Sequence, residues 1–595
     1  MLNFNLKTTT SMNKLIKILR SGLLILSLSF NFSCNEGEFL KEVPLDFYSP
    51  ENSFVTKEDF ESAITELYSR IRYCAYQTGD ASGGFPYLNS TDIAHDGRYQ
   101  ITAANRFGGH TTCLVSTNGT ITTHWNSWFK LIANANTIIN RIESAELSDD
   151  VKRVYTAEAK LMRAFGYRYL VYLYGGVPLN LEEVTSPKKD YTRATKEEVL
   201  NQIIKDATEA AEALPGIEDV VDGKVSNLVA YHLLAETYIA LQKYDEAIES
   251  ASIVINDPNT SLMTSRFGSM ADQNPHDDYL KLSQPGDVYW DLFRVNNQNR
   301  SSGNKEALWV IQYEPDVLGG VLTSTGSWNA KNTQRGESAN VLERIAGPVA
   351  WMTFVDPDGK EGMLQKPQSN YNSGGHGVSL MKNTEWFLYD LWESDWDNDI
   401  RNAPHNIVRD VVYNNPNSAY YGLSAVEYPS STWINQIWRW YPYPSKITTP
   451  GQHPDELYAD KENSILKSTA GSTFRDNYML RLAETYLLRA EAYLGKNDLV
   501  NAAKDINIVR ERAKAKPIST DKVTLDYILD ERARELVYEE PRRITLHRTG
   551  KLVERVRKYN NLNKDEIQDH HGLWPIPHSF IEANTDVEIE QNPGY

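Results

Sequence analysis

The chain has 595 residues, too many for one small core and enough for two lobes, and its 41% hydrophobic and 24% charged content is ordinary for a globular protein. A formal charge of −18 argues against nucleic-acid partners, whose phosphates call for a basic face.

The N-terminus stands apart. Lys7, Lys14, Lys17 and Arg20 precede an apolar run from Leu23 to Phe30 that is too short to span a bilayer, and Ser33 and Cys34 follow it. The pattern predicts a secretory signal over residues 1–33 and resembles bacterial lipoprotein signals, in which cleavage leaves the cysteine N-terminal and acylated. Cys34 is the expected lipidation site. Asn31 and Phe32 depart from the usual residues before such a cysteine, so a plain cleaved signal stays open, and a start at Met12 would give a more usual length. Glu36 and Glu38 resemble the acidic surface-export signal of Bacteroidetes lipoproteins, which points to the cell surface. Of the other cysteines, Cys74 and Cys113 could pair in an oxidising compartment, although two buried thiols without a bridge are the simpler reading.

After a tether to about residue 49, Phe60, Ile64, Leu67, Tyr68 and Ile71 carry the spacing of a core-facing helix over 54–75. Residues 81–120, rich in Gly, Ser, Thr and Asn, predict long loops. Helical patterns return over 122–144, 151–174, 196–214 and 228–256, with Gly175, Gly176 and Pro178 ending the second. From 257 to 477 Pro and Gly recur, short β-prone runs such as 308–313 appear, and ten of the thirteen tryptophans are found.

Residues 478–513 then read as a complete helical hairpin. Met479, Leu482, Ala483, Tyr486, Leu487, Ala490, Tyr493 and Leu494 line one face, Gly495 stops the helix, and Asn497 or Asp498 can cap a second helix carrying Leu499, Ala502, Ala503, Ile506 and Val509. From Ala490, the residues Tyr493, Ala502, Ile506 and Val509 keep the same register as Tyr238, Ala247, Ala251 and Val254 from Ala235, a tetratricopeptide-like repeat. Such hairpins bury their faces only against neighbours, so the two copies should stack in space around an inserted lobe. The expected architecture is mainly α. It comprises a tetratricopeptide-like scaffold of about four pairs, with three pairs over 34–256 and the fourth within 478–595, and a large, irregular, partly β, aromatic-rich lobe over 257–477.

EFLKEVP after the cysteine, RAFGYRYLVYLYGGVPL at 163–179, RLAETYLLRAEAYL at 481–494, ILDERARELVYEEPRR at 528–543, LWPIPHSFIEAN and the terminal QNPGY each resemble blocks of the SusD/RagB family, in family order. The resemblance spans nearly the whole chain after the signal. It implies a surface lipoprotein that docks as a lid on a SusC-like TonB-dependent outer-membrane transporter and binds glycans or, in some members, peptides. Thr545 stands where the family usually has an acidic residue, which puts one structural contact in doubt.

Catalytic constellations are not found in the sequence, and no cofactor or metal is expected. GDASGG at 79–84 resembles a serine-protease loop but has an extra residue, and G-x-S-x-G and H-E-x-x-H do not occur. Asp395, Asp397 and Asp399 alternate like the first ligands of a calcium loop, yet Ile400 replaces the turn glycine and Asn406 the bidentate glutamate, so a solvated acidic turn is expected. Paired carboxylates for glycoside hydrolysis stay open among 79 acids, with no segment singling out a pair.

Sugars offer C–H faces and hydroxyl edges, which flat aromatics and Asn, Asp and Arg side chains meet. Trp328 lies in the polar loop LTSTGSWNAKNTQRG, which offers no apolar bed for an indole; a sugar platform and a core residue are both open readings. Tyr289 and Trp290 precede DLFRVNNQNR, while Tyr87, Asn89, Asp92 and Arg98 crowd GGFPYLNSTDIAHDGRYQ. The resemblance implies ligand contacts in loops comparable to the last two, and with Trp328 these seven residues are the candidate glycan site. Trp125 and Trp128 open an apolar helix and read as core, and Trp433, Trp438, Trp440 and Tyr441 read as lobe packing. The leading reading is a non-enzymatic glycan-capturing lipoprotein; an exported glycan-active enzyme and a peptide-capturing relative are the alternatives.

Overall fold

The structure, a computed structural model, describes residues 54–76, 86–98, 108–271, 286–314, 317, 342–349, 354–363, 369–370, 377–430, 438–449, 452–462, 465–467 and 473–595. Cys34, Trp328 and Trp433 lie outside the described residues. The chain forms two units, Met1–Asp59 and Phe60–Tyr595. Of the first, only 54–59 are described; there the Asp59 carboxylate accepts from the amides of Val55 and Thr56, at 3.0 and 2.9 Å, as the chain turns into a helix.

Helix α1 (Lys57–Tyr76) buries Phe60, Ile64, Leu67 and Ile71, the stripe that the spacing predicts. Strand β1 (Ala94–Asp96) follows. The scaffold then runs through α2 (Gly119–Arg141), α3 (Asp149–Tyr174), α4 (Lys196–Ala213), α5 (Asn227–Ala240) and α6 (Tyr244–Ile255), each packed on the next. Local chemistry sets the starts: the Asn118 side chain accepts from the Thr120 amide at 2.8 Å, and Thr195 and Glu198 form a capping box on α4.

The lobe contributes β2 (Ala307–Ile311), β3 (Met381–Asn383), β4 (Ile407–Val408) and β5 (Tyr443–Pro444). Strand β6 (Asn477–Arg481) pairs antiparallel with β2 and leads straight into α7 (Leu482–Gly495) and α8 (Leu499–Arg512). Strand β3 pairs with β1, so the early loop and the lobe share a backbone ladder, and β4 pairs with β5 within the lobe.

The two hairpins stack as expected. Helix α7 packs on α6, and Ile239, Ala247, Leu488 and Ala492 form one buried cluster. The repeat extends to the backbone. Gln242 and Asn497, seven residues after Ala235 and Ala490, both have φ of 58°, and the next amide bonds back at 2.9 Å in each copy, Lys243 to the Tyr238 carbonyl and Asp498 to that of Tyr493. Asp498 caps α8 by accepting from the Asn501 amide at 3.1 Å.

Helices α9 (Leu525–Leu536), α10 (Arg542–Arg548) and α11 (Leu552–Tyr559) follow, and a short α12 (His578–Ala583) precedes the C-terminal segment. A buried ion network joins lobe to scaffold: Arg401 meets Asp399, Glu531 and Glu535 at 2.6, 2.8 and 3.0 Å, Arg481 meets Glu535 and Glu539 at 2.6 and 2.8 Å, and Glu306 pairs with Arg481 and Arg512. Burial alone would raise the Glu531 carboxyl, but Arg401, Arg534 and Arg510 outweigh it and hold it at about 2. The expected solvated turn at 395–399 is thereby corrected, because Asp395 and Asp399 are buried and paired with Arg510 and Arg401, while Asp397 is exposed. Cys74 and Cys113 are buried and form no disulfide. Thr545, where the family pattern has an acid, donates its hydroxyl to Glu540 at 3.1 Å.

Candidate glycan-contact rim

The loop 86–98 is bolted to α10 and α11. The Arg543 amide donates to the Tyr87 carbonyl at 2.7 Å and its guanidinium to the carbonyls of Pro86 and Asn89 at 2.7 and 2.6 Å. Asp92 sits between Arg542 and Arg555, with contacts of 2.6 and 2.7 Å. Burial would raise that carboxyl; the two guanidiniums prevail and hold it at about 2. The Tyr87 hydroxyl lies 2.8 Å from His124 Nδ1 and accepts from Trp128 Nε1 at 3.0 Å. Tyr87, Asn89 and Asp92 are 3%, 0% and 0% exposed, so the expectation that they touch ligand is corrected: the same polar groups are consumed inside the protein.

Tyr289 and Trp290 are corrected for the same reason. They sit in a short helix capped by Asp287, which accepts from the Trp290 amide at 2.8 Å. The Tyr289 hydroxyl meets the Glu535 carbonyl and Lys446 Nζ, each at 3.0 Å, and the Arg294 guanidinium lies 4.1 Å from the Trp290 ring centre. Both rings are buried and have no open face. Trp125 and Trp128 are core, as the sequence suggests.

Arg98 differs. Only half-buried, it places its guanidinium 5.3 Å from the ring centre of Trp438, itself half-buried, and Arg439 covers the same indole at 4.7 Å. The rim is held from below. Ser379 Oγ donates to the Trp438 carbonyl at 2.6 Å, the Arg98 amide donates to Asp96 Oδ1 at 2.8 Å, and Gly97 comes so near the Ser379 carbonyl that a Cβ would lie 2.5 Å from its oxygen. Tyr441 is buried, its hydroxyl 3.0 and 3.1 Å from the carbonyls of Ala346 and Met381, so that part of the aromatic cluster does pack as expected. Trp438, which the sequence groups with Tyr441 as lobe packing, is half-buried rather than buried, a difference that nothing in the spacing marks. A partly exposed indole with two guanidiniums close to its ring combines aromatic C–H surface for a sugar with donors for hydroxyl or carboxylate oxygens.

Among the described residues, no group of three His, Cys, Asp or Glu side chains is placed to hold a metal ion. Burial raises Asp476 to about 6, but its oxygens accept from the Tyr313 amide and the Asn299 side chain, both at 2.7 Å, which is a structural role.

The profile described as "SusD family" matches residues 305–595, and one described as "Starch-binding associating with outer membrane" matches 45–239. A SusD-like protein of Bacteroides ovatus is 24% identical over 533 residues, covering 87% of this chain and 80% of its own. A laminarin-binding SusD-like protein superposes with a TM-score of 0.61 at 22% identity, covering 91% of this chain and 100% of its own. Surface glycan-binding protein A of Bacteroides thetaiotaomicron, solved with laminarihexaose, gives a TM-score of 0.60 at 18% identity, covering 90% and 100%. With a stacked hairpin scaffold that carries an inserted lobe, and two family profiles matched along its length, the chain belongs to the SusD family.

Proposed function

We propose that this protein is a non-enzymatic, Cys34-anchored outer-membrane lipoprotein, exposed at the cell surface, that captures an oligosaccharide or polysaccharide and delivers it to a SusC-like TonB-dependent transporter. The observation that carries the glycan part is the half-open Trp438 indole gripped by Arg98 and Arg439. Laminarin and laminarihexaose, bound by two proteins of the same fold, support the ligand class. The extended face of stacked helices suits a large protein partner, and the outer-membrane wording of the matched profile supports the location. Trp328 remains a proposed second contact of the same kind.

A glycan array probed with the mature chain tests the reading. Capture of at least one polysaccharide without cleaved product is the expected result. Released fragments would favour a glycan-active enzyme, and capture of peptides alone would favour the peptide-binding alternative.

A further inference from the structure

Trp396 is the most exposed tryptophan among the described residues, at 42%, and it does not stand alone. Tyr389, 37% exposed, lies with its ring within 9° of parallel to the indole, the centroids 6.3 Å apart. The Arg409 guanidinium sits 4.5 Å from the Trp396 ring centre and 5.6 Å from that of Tyr389. Exposed apolar side chains scattered singly need no explanation, but a fixed pair of parallel rings with a shared cation is a built surface.

Everything around the pair is tied down. Trp392, four residues before Trp396, is buried and donates Nε1 to the Phe387 carbonyl at 2.7 Å. Asp395 accepts from Arg510 at 2.6 Å and from the Lys516 amide at 2.9 Å, while Asn402 Nδ2 donates to the Trp396 carbonyl at 2.8 Å. Asn402 also holds Arg409, whose Nη2 donates to Asn402 Oδ1 at 2.5 Å and to the Leu388 carbonyl at 2.6 Å. A pair of rings whose backbone and cation are held in this way loses less entropy when a ligand settles on it than a loose loop would.

Charge says what kind of ligand fits. In a chain of formal charge −18, Arg409 makes no ion pair among the described residues; its hydrogen bonds there go to two carbonyls and an amide oxygen. Asp390, Asp397 and Asn398, which follow the two rings directly in the chain, are exposed and can bind hydroxyls. Flat aromatic faces rimmed by a guanidinium, carboxylates and an amide suit a polyhydroxylated ring better than an apolar protein surface.

We propose that Trp396, Tyr389 and Arg409 form a second carbohydrate-contact surface, separate in its residues from the Trp438 rim, on which a further stretch of a polysaccharide chain rests. This inference rests on the glycan-binding reading. Two contacts on one polymer raise its avidity, whereas a fragment long enough for one contact gains nothing from the second.

The test uses the mature wild-type chain, Trp396→Ala, Tyr389→Ala, Trp396→Phe and Trp438→Ala, each melted and then titrated with a panel of purified polysaccharides and their hexasaccharides, laminarin and laminarihexaose included. On a polysaccharide that the wild type captures, Trp396→Ala and Tyr389→Ala should each weaken binding roughly tenfold, the loss of one anchor at a hot spot, while hexasaccharide affinity stays within about twofold. Trp396→Phe should recover most of the polymer affinity, and melting temperatures should not move. Wild-type polymer affinity in both alanine variants overturns the second surface while leaving the Trp438 reading intact. Unchanged glycan affinity with lost retention of the transporter would show a protein contact instead and also overturns it. If the wild type captures no glycan, both readings fall.

Discussion

Tyr244 lies so close to Gly495 that a Cβ on the glycine would come within 2.3 Å of its ring. The contact joins the first turn of α6 to the last of α7, and so closes the helical stack across the inserted lobe. Gly495 is exposed and Tyr244 half-buried, so the ring can yield in part, and Gly495→Ala should cost about 1 kcal/mol of folding stability, the low end for overpacking. Denaturant unfolding of Gly495→Ala, Tyr244→Leu and the double variant checks it, since the double should be less unstable than the sum.

Asp92 gives the second prediction. Neutralising it leaves Arg542 and Arg555 buried without their shared carboxylate, so Asp92→Asn should cost about 3–5 kcal/mol in urea unfolding. Glycan affinity of the molecules that remain folded should be unchanged. A ligand-contact role would reverse that outcome, with affinity lost and stability kept.

Acid should loosen the fold in two stages. Burial holds His110 and His124 at about 4 and His232 at about 3, below the ordinary 6.5. The folded state keeps these rings neutral, so their contribution is whole above pH 6.5 and is lost as the pH falls through 6.5 toward 4, at about 2 kcal/mol per histidine by pH 5. Asp92 and Glu531, held at about 2, add a further loss below about pH 4 as their pairs are protonated. Urea midpoints at pH 7.5, 5.0 and 3.5 should fall in that order. A midpoint constant from 7.5 to 5.0 would mean that the histidines are not held neutral.

The membrane prediction rests on the short apolar run that ends at Cys34. Acyl chains anchor a protein stably when two or more are present, so Cys34→Ala should move the protein from the membrane fraction to the soluble one in cells lacking the transporter. Retention in the membrane would show another anchor.

Much of the scaffold is legible in the sequence because hairpin packing is a local demand. Ala235, Ala247, Ala490 and Ala502 must be small where helices touch, and that spacing survives 221 intervening residues. The site is less legible. Tyr87, Asn89 and Asp92 have the composition of a sugar-binding loop, yet their partners Arg542, Arg543 and Arg555 come from a segment about 450 positions away, and a buried polar network looks like a binding loop until both halves are seen together. Asp395 and Asp399 misled in the same way. Trp438 differs from Tyr441 only in burial, which three positions of sequence do not encode.

The central claim is that the Trp438 indole, beside Arg98 and Arg439, binds glycan. Calorimetric titration of wild type and Trp438→Ala with a hexasaccharide of a captured polysaccharide tests it most directly. The account predicts a loss of about 1–3 kcal/mol in binding with the melting temperature nearly unchanged. Equal affinity in the two proteins, or a large fall in melting temperature with affinity of the folded fraction intact, would contradict it.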